Sequence, residues 1–282
     1  MTESATRKSI VVGIDGSKAA IRAALWAVDE AVRHDVPLRL LYAIEQGDTA
    51  ETEPDDTAGN ATAAMAVRQA RTAIEATGKP IKIETDVVRG PAVGSLLRAS
   101  ASAVMVCVGA VGLRHFRPGR VGSTAAALAG SARCAVAIVR GRDDHPRRSA
   151  DGIVVAVDGS PDNSAVLGAA VEEALARDVA IHAVICRRTV PGDQGAEGDH
   201  LALAGLDRGL ASWKRRYPQL RVESVAVHGS LLEYLAYSRR SAGLVIVGAH
   251  NRQQVAELVG PVGSAVLQDA DCSLLIVNRQ HL

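Results

Sequence analysis

The sequence predicts an α/β protein of two tandem domains, each a five-stranded, mostly parallel sheet flanked by helices, and three observations carry that prediction. The chain of 282 residues is long enough for two cores of about 140 residues each. Its first half returns in its second, since Ile10–Ser17, IVVGIDGS, answers Ile153–Ser160, IVVAVDGS, at an offset of 143. Within each copy, short apolar runs alternate with segments of helical period, which implies right-handed crossovers and parallel strands.

The repeat continues beyond that octapeptide. Asp29-Glu30-Ala31 answers Glu172-Glu173-Ala174, and Asp35-Val36 answers Asp178-Val179, at the same offset. The offset becomes 139 at Arg89-Gly90 against His228-Gly229, holds for Val108-Gly109-Ala110 against Val247-Gly248-Ala249, and ends at 138 for Cys134 against Cys272. The changes fall in segments of loop composition, as a duplicated domain requires. Domains are expected at 1–143 and 151–282, joined by the charged, aperiodic stretch GRDDHPRRSA over 141–150.

Ile10–Ile14 reads as the first strand, and Asp15-Gly16-Ser17 as its turn into a helix whose apolar face carries Ile21, Ala24, Leu25 and Val28. Ser17 is placed to cap that helix. Leu38–Ile44 is the second strand, Gln46–Asn60 a polar and acidic loop, and Ala61–Thr77 an Ala-rich helix. Ile81–Val88 alternates enough to lie near a sheet edge. Pro91 opens a helix to Ala101, Val104–Val108 is the fourth strand, Gly122–Ser131 a short helix and Ala135–Arg140 the fifth strand. The second copy repeats the order, with strands at Ile153–Val157, Ala180–Cys186, Arg221–His228, Leu244–Gly248 and Ser273–Asn278. Its helices are expected at Asn163–Ala176, His200–Arg216, Leu231–Ser241 and Ser264–Asp269.

Apolar residues make up 48% of the chain but only two Trp, four Tyr and one Phe are among them, so Val, Ala, Leu and Ile must fill the cores. A net charge of +1 gives no long-range attraction to nucleic acid or to an anionic membrane. No apolar leader precedes the first strand, and no window reaches the roughly 18 apolar residues of a spanning helix. A cytoplasmic protein with neither nucleic-acid nor membrane partners is expected. Cys107, Cys134, Cys186 and Cys272 form no CxxC pair and no zinc spacing, and each sits in or beside an apolar run, so buried reduced thiols are expected.

The stretch Val106–Ala125, VCVGAVGLRHFRPGRVGSTA, concentrates the chemistry. An apolar run breaks at Gly109 and Gly112, crosses Arg114, His115, Arg117 and Arg120, and restarts at Gly122-Ser123-Thr124. A strand end, a bare backbone and a hydroxyl-rich helix start suit a phosphate, because glycine lets an anion approach the main chain and a helix start offers unpaired N–H groups. The alternative is a loop whose glycines only supply positive φ. Open parallel sheets bind ligands beyond the carboxyl ends of their strands, where Asp15 and Gly109 both fall. Neither GxxxxGK(S/T) nor GxGxxG occurs, and no metal constellation or nucleophile with a positioned base is found. His182 and His228 fall in strand segments and read as structural histidines.

IVVGIDGS, LLYAI and VGAVGLRHFRPGRVGST together resemble a universal stress protein domain of the ATP-binding type, whose pattern is G-2x-G-9x-G-(S/T). The resemblance covers nearly the whole chain as two copies and is similar in organisation to the tandem proteins of actinobacteria. It implies Rossmann-like, adenine-nucleotide α-hydrolase-like domains and ATP as ligand, with Mg²⁺ on its phosphates. By this resemblance Asp15 meets the nucleoside, Gly13 and Ile14 line the adenine pocket, and Ala43 packs on the base. Val108, Gly109, Val111 and Gly112 would approach ribose and phosphates, and Gly122, Ser123 and Thr124 would bind phosphates. The second copy departs from the pattern: Asn251 replaces a glycine, Gly263-Ser264 follows after 11 residues, and Ala156 and Cys186 replace Gly13 and Ala43. Asn tolerates positive φ, so the turn can survive.

The resemblance implies a regulatory ATP-binding protein of stress or growth arrest that binds rather than turns over nucleotide, with a slow ATP hydrolase and a nucleotide-free oligomeric scaffold as alternatives. Family members pair through the last strand, so homodimerisation and domain pairing through Ala135–Val139 and Ser273–Val277 are expected, alongside an unidentified protein partner.

Overall fold

The computed structural model describes residues 8–45, 56–113, 120–141, 152–158, 160, 162–187, 195–237 and 242–278. The chain separates into two compact units between Arg140 and Gly141. The first runs β1 (Ile10–Ile14), α1 (Lys18–Arg33), β2 (Leu38–Ile44), α2 (Asp56–Glu75), β3 (Ile83–Arg89), α3 (Ala92–Ala99), β4 (Met105–Gly109), α4 (Ser123–Ser131) and β5 (Ala135–Val139). Its strands lie in the order β3-β2-β1-β4-β5, and each neighbouring pair is parallel. The chain therefore leaves β1 toward one side of the sheet and returns to β4 on the other. That reversal opens a crevice at the carboxyl ends of β1 and β4.

The central strands are buried throughout, which is why they read as unbroken apolar runs: Ile10, Val11, Val12, Val106 and Cys107 are fully enclosed. Leu38, Leu40, Ile74, Leu128 and Ile138 complete the core from the flanking elements. β3 alternates between half-buried and exposed residues at the sheet edge, as its sequence predicts.

The second unit runs β6 (Gly152–Val157), α5 (Asn163–Arg177), β7 (Ile181–Arg187), α6 (Gly195–Arg216), β8 (Val222–His228), α7 (Leu231–Tyr237), β9 (Ala242–Gly248), α8 (Arg252–Val259), α9 (Pro261–Asp269) and β10 (Ser273–Val277). Its parallel order, β10-β9-β6-β7-β8, repeats the topology of the first. The repeated Asp35 and Asp178 both follow a helix with φ of 51°, a left-handed turn that aspartate tolerates.

Three helix starts and one added helix correct the sequence reading, the first being α6, which starts at Gly195 rather than His200. α2 starts at Asp56, inside the acidic stretch assigned to loop, while residues 46–55 lie outside the described ones. α9 starts at Pro261 rather than Ser264. α8 was not anticipated, because its only buried apolar contacts, Val255 and Leu258, are too few to show a helical period in RQQVAELV. What starts it is Asn251, whose Oδ1 accepts the Gln254 N–H at 3.1 Å. The linker at 142–150 lies outside the described residues.

None of the four cysteines forms a disulfide, and Cys107, Cys134 and Cys272 are buried, whereas Cys186 is only half-buried. Burial pushes the Cys134 thiol up to about 12, far from the thiolate form that reacts. No described helix is long and apolar enough to cross a membrane.

Candidate functional site

β1 ends at Ile14, and Gly16, with φ of +86°, turns the chain into α1. Ser17 caps the helix as predicted, its Oγ accepting the Ala20 N–H at 3.0 Å. Asp15 is tied into this turn and across it. Its Oδ1 accepts the Ser17 N–H at 2.9 Å, and its Oδ2 accepts the Leu113 N–H at 3.0 Å from the segment after β4.

On the other side of the crevice, β4 ends at Gly109 and the chain is held close to the sheet. Ala110 donates its N–H to Val139 O at 3.0 Å, and Gly122 donates to Ala110 O at 2.8 Å. α4 then begins with Gly122 as its N-cap residue, in extended conformation and with no side chain capping the first turn. The first-turn N–H groups and the Ser123 and Thr124 hydroxyls stand together at that start, a ready anion site.

These elements enclose a cavity of about 430 Å³. Gly13, Ile14 and Asp15 line it from the end of β1, and Ala43 from β2. Val108, Gly109, Val111 and Gly112 enter from β4 and its loop, and Gly122, Ser123 and Thr124 from the start of α4. Every residue that the resemblance assigns to the nucleotide site thus lines one cavity. Leu41, Glu45, Thr62, Leu96 and Leu113 also line the cavity and were not anticipated. Leu41 could have been found as a neighbour of Ala43 on β2. Thr62 and Leu96 arrive on α2 and α3, and only the crossover geometry brings them there.

The glycines have reasons other than positive φ, which Gly109, Gly112 and Gly122 do not adopt. A Cβ on Gly109 would lie 2.7 Å from the Ala19 backbone of α1, so the residue is bare to let helix and strand touch. A Cβ on Gly112 would lie 2.6 Å from Asp15 Oδ2. Around Gly122 the nearest atoms to such a Cβ stand at 3.6 Å or beyond. Of the basic cluster, Arg114, His115 and Arg117 lie outside the described residues, and Arg120 is exposed and not among the described residues of the lining.

In the second unit the corresponding carboxylate is already engaged by side chains. Asp158 Oδ1 accepts the Ser160 N–H at 3.0 Å, while His250 Nε2 lies 3.0 Å and Asn251 Nδ2 3.5 Å from its Oδ2. Asn251 has φ of −85°, so, like Gly112, it takes no positive φ, and its side chain caps α8. The helix start is changed too. Gly122 and Gly260 both occupy the N-cap position, at the offset of 138 that relates Cys134 to Cys272. The partner of Gly122-Ser123-Thr124 is therefore Gly260-Pro261-Val262 and not the Gly263 pair favoured by sequence. Ser264 lies a turn further along and is fully buried.

A more open cavity of about 730 Å³ in this unit is lined by Cys186, Arg187, His228, Glu233 and Glu257 among others. Burial, then the charges of Glu257 and Glu233, push the Cys186 thiol up to about 11. His228 ends β8 and is partnered, its Nε2 standing 2.9 Å from Asp199 Oδ2, whose Oδ1 lies 2.7 Å from Arg187 Nη1. Hydrogen bonds from Arg187 and His228 hold the Asp199 carboxyl below the usual carboxylate range. A depressed folded pKa stabilises the fold above the unfolded value of about 3.9, and this contribution is lost as pH falls through the folded value. Asp199→Asn is thus expected to melt below the unmodified chain near neutral pH, with the two melting curves converging in acid. Parallel melting temperatures at all pH values would contradict this role.

A family model described as the universal stress protein family matches residues 6–140 and 150–278. Universal stress protein Rv2028c of Mycobacterium tuberculosis strain H37Rv is 52% identical over 283 residues, covering 100% of both chains. Universal stress protein Rv2624c of the same strain is 41% identical over 275 residues, covering 97% of each. Among solved structures, a universal stress protein from Archaeoglobus fulgidus DSM 4304 superimposes with a TM-score of 0.72 over 97% of each chain, at 16% identity, a likeness of fold alone.

Proposed function

The chain belongs to the universal stress protein family, and from that premise we propose that its first domain is a regulatory ATP-binding module that holds nucleotide rather than turning it over. The observation that carries the reading is the convergence of Gly13, Asp15, Ala43, Gly109, Gly112 and Gly122-Ser123-Thr124 on one cavity of about 430 Å³. That volume lies in the range of small-molecule sites, about 300–1,000 Å³. One end is apolar: a Cβ on Gly13 would come within 3.1 Å of the Leu96 and Val108 side chains, so glycine there lets those two side chains close on β1 and form the apolar wall against which a flat base would lie. The other end is the start of α4, whose N–H groups and hydroxyls supply donors to a phosphate chain.

The donor set fits ATP. Among the described residues no group of three or more His, Cys, Asp or Glu is placed to hold a metal ion, so Mg²⁺ would travel on the phosphates and neutralise part of their charge. We extend this proposal to a cytoplasmic role in stress or growth arrest, with occupancy read out through a protein partner or a second copy of the chain; the name universal stress protein carried by the mycobacterial relatives supports the stress role. The second domain is proposed to leave nucleotide unbound. His250 and Asn251 occupy its Asp158, and Pro261 has no N–H to offer where Ser123 stands in the first domain.

Mass spectrometry of the native, purified chain is expected to release an adenine nucleotide. Finding none, together with no binding of added ATP to the same preparation, sinks the reading.

A further inference from the structure

We propose that the open cavity of the second domain is a binding site for a small oligoamine, an alkyl chain carrying two or more ammonium groups. The site lies apart from the nucleotide crevice of the first domain and does not depend on it. The described residues that line it come from the ends of β7 and β8, the start of α7 and α8, and none comes from β6. Two of them are glutamates on different elements, Glu233 on α7 and Glu257 on α8. Each is held through one oxygen: Glu233 Oε2 accepts the Ser230 N–H at 2.8 Å, and Glu257 Oε1 accepts from Gln253 Nε2 at 3.2 Å. Among the described residues no Lys, Arg or His is paired with either carboxylate. The basic side chains of the lining are matched elsewhere, since Arg187 Nη1 stands 2.7 Å and His228 Nε2 2.9 Å from the Asp199 carboxylate. Negative charge is left in excess on the cavity wall, and it attracts a cation.

That charge reaches the floor of the cavity. Cys186, near the end of β7, has its thiol pushed up to about 11 by burial and then by the charges of Glu257 and Glu233. The duplicated copy shows what changed. At the offset of 139 that relates Arg89-Gly90 to His228-Gly229, Glu233 takes the place of Gly94. Between Asn251 and Gly260 the chain reads RQQVAELV and carries Glu257, where the first copy's sequence between Gly112 and Gly122 carries Arg114, His115, Arg117 and Arg120. A phosphate chain is repelled by such a wall. A metal ion is not suited either, because among the described residues no group of three or more His, Cys, Asp or Glu is placed to hold one. An organic cation needs only the two carboxylates, one for each ammonium, since a carboxylate only accepts hydrogen bonds and an ammonium only donates them. Buried Leu231 and the neutral Cys186 thiol offer an apolar surface to the methylenes between. The volume of about 730 Å³ lies in the range of small-molecule sites, about 300–1,000 Å³.

Calorimetric titration of the nucleotide-stripped full chain with spermidine, at about 0.15 M salt so that loose surface attraction is screened, tests the site. One saturable site per chain is expected. Glu233→Gln and Glu257→Gln should each weaken spermidine binding about tenfold, and the pair about a hundredfold, because each removes the charge from one hydrogen-bonded ion pair. Glutamine keeps an amide oxygen for the Ser230 N–H or for Gln253, so both variants are expected to melt with the unmodified chain. Magnesium chloride at matched ionic strength should leave spermidine bound. No saturable binding, an affinity unchanged in the double variant, or displacement of spermidine by Mg²⁺, the mark of a diffuse counter-ion layer, overturns the assignment. ATP titration of the same double variant keeps the two domains distinguishable: its ATP affinity is expected to equal that of the unmodified chain, whatever spermidine does.

Discussion

A chain carrying Ser123→Pro and Thr124→Val is expected to bind ATP about a hundredfold more weakly or worse, yet to melt with the unmodified protein. The pair transplants the second domain's helix start, Gly260-Pro261-Val262, onto the first. It removes one N–H and two hydroxyl donors from the start of α4. Hydrogen bonds to charged groups are worth about 1.5–3 kcal/mol each, and a tenfold change in affinity is about 1.4 kcal/mol, so losing two or three of them accounts for the effect. Stability is spared because proline at the first helical position gives up a donor with no intrahelical partner. Calorimetric titration with ATP and a thermal melt of each chain check both halves. Undiminished affinity would show that the phosphates do not sit at α4.

Gly109→Ala is expected to act in the opposite way, on stability first. The added Cβ would stand 2.7 Å from the carbonyl carbon and Cβ of Ala19 and 2.8 Å from its oxygen, and two of those three atoms are main chain. α1 would have to move off β4, an overpacking cost of about 3 kcal/mol. For a domain of this size that lowers the melting temperature by about 10 °C. Gly130→Ala is the control: nothing lies within 4 Å of its Cβ, and alanine in a helix interior is favoured over glycine by up to about 1 kcal/mol. Equal melting temperatures for the two variants would refute the close-approach account of Gly109.

The sequence made the fold and the first-domain site legible for an identifiable reason. Buried parallel strands such as Ile10–Ile14 and Met105–Gly109 are short, apolar and punctuated by glycine, and duplication displays each one twice. The site residues sit at strand ends and at a helix start, positions that local sequence marks. What stayed hidden depends on distances across the fold. Asp15 read as a residue facing ligand, and its bond to Leu113 becomes visible only when β1 and β4 lie side by side. Gly109 read as a place for an anion, and its contact with Ala19 appears only once α1 packs on the sheet. In the second domain the glycine spacing drew attention to Gly263-Ser264, because nothing in RQQVAELV announced a helix that would place Gly260 at the N-cap of α9.

The claim at the centre of this account is that the crevice of the first domain, and not its altered copy, is the nucleotide site. Calorimetric titration of the nucleotide-stripped full chain with ATP tests it most directly. One saturable site per chain is expected, weakened about a hundredfold or more by Ser123→Pro with Thr124→Val and left intact by His250→Ala in the second domain. Two equivalent sites per chain, or a single site that survives the change at Ser123 and Thr124, would contradict it.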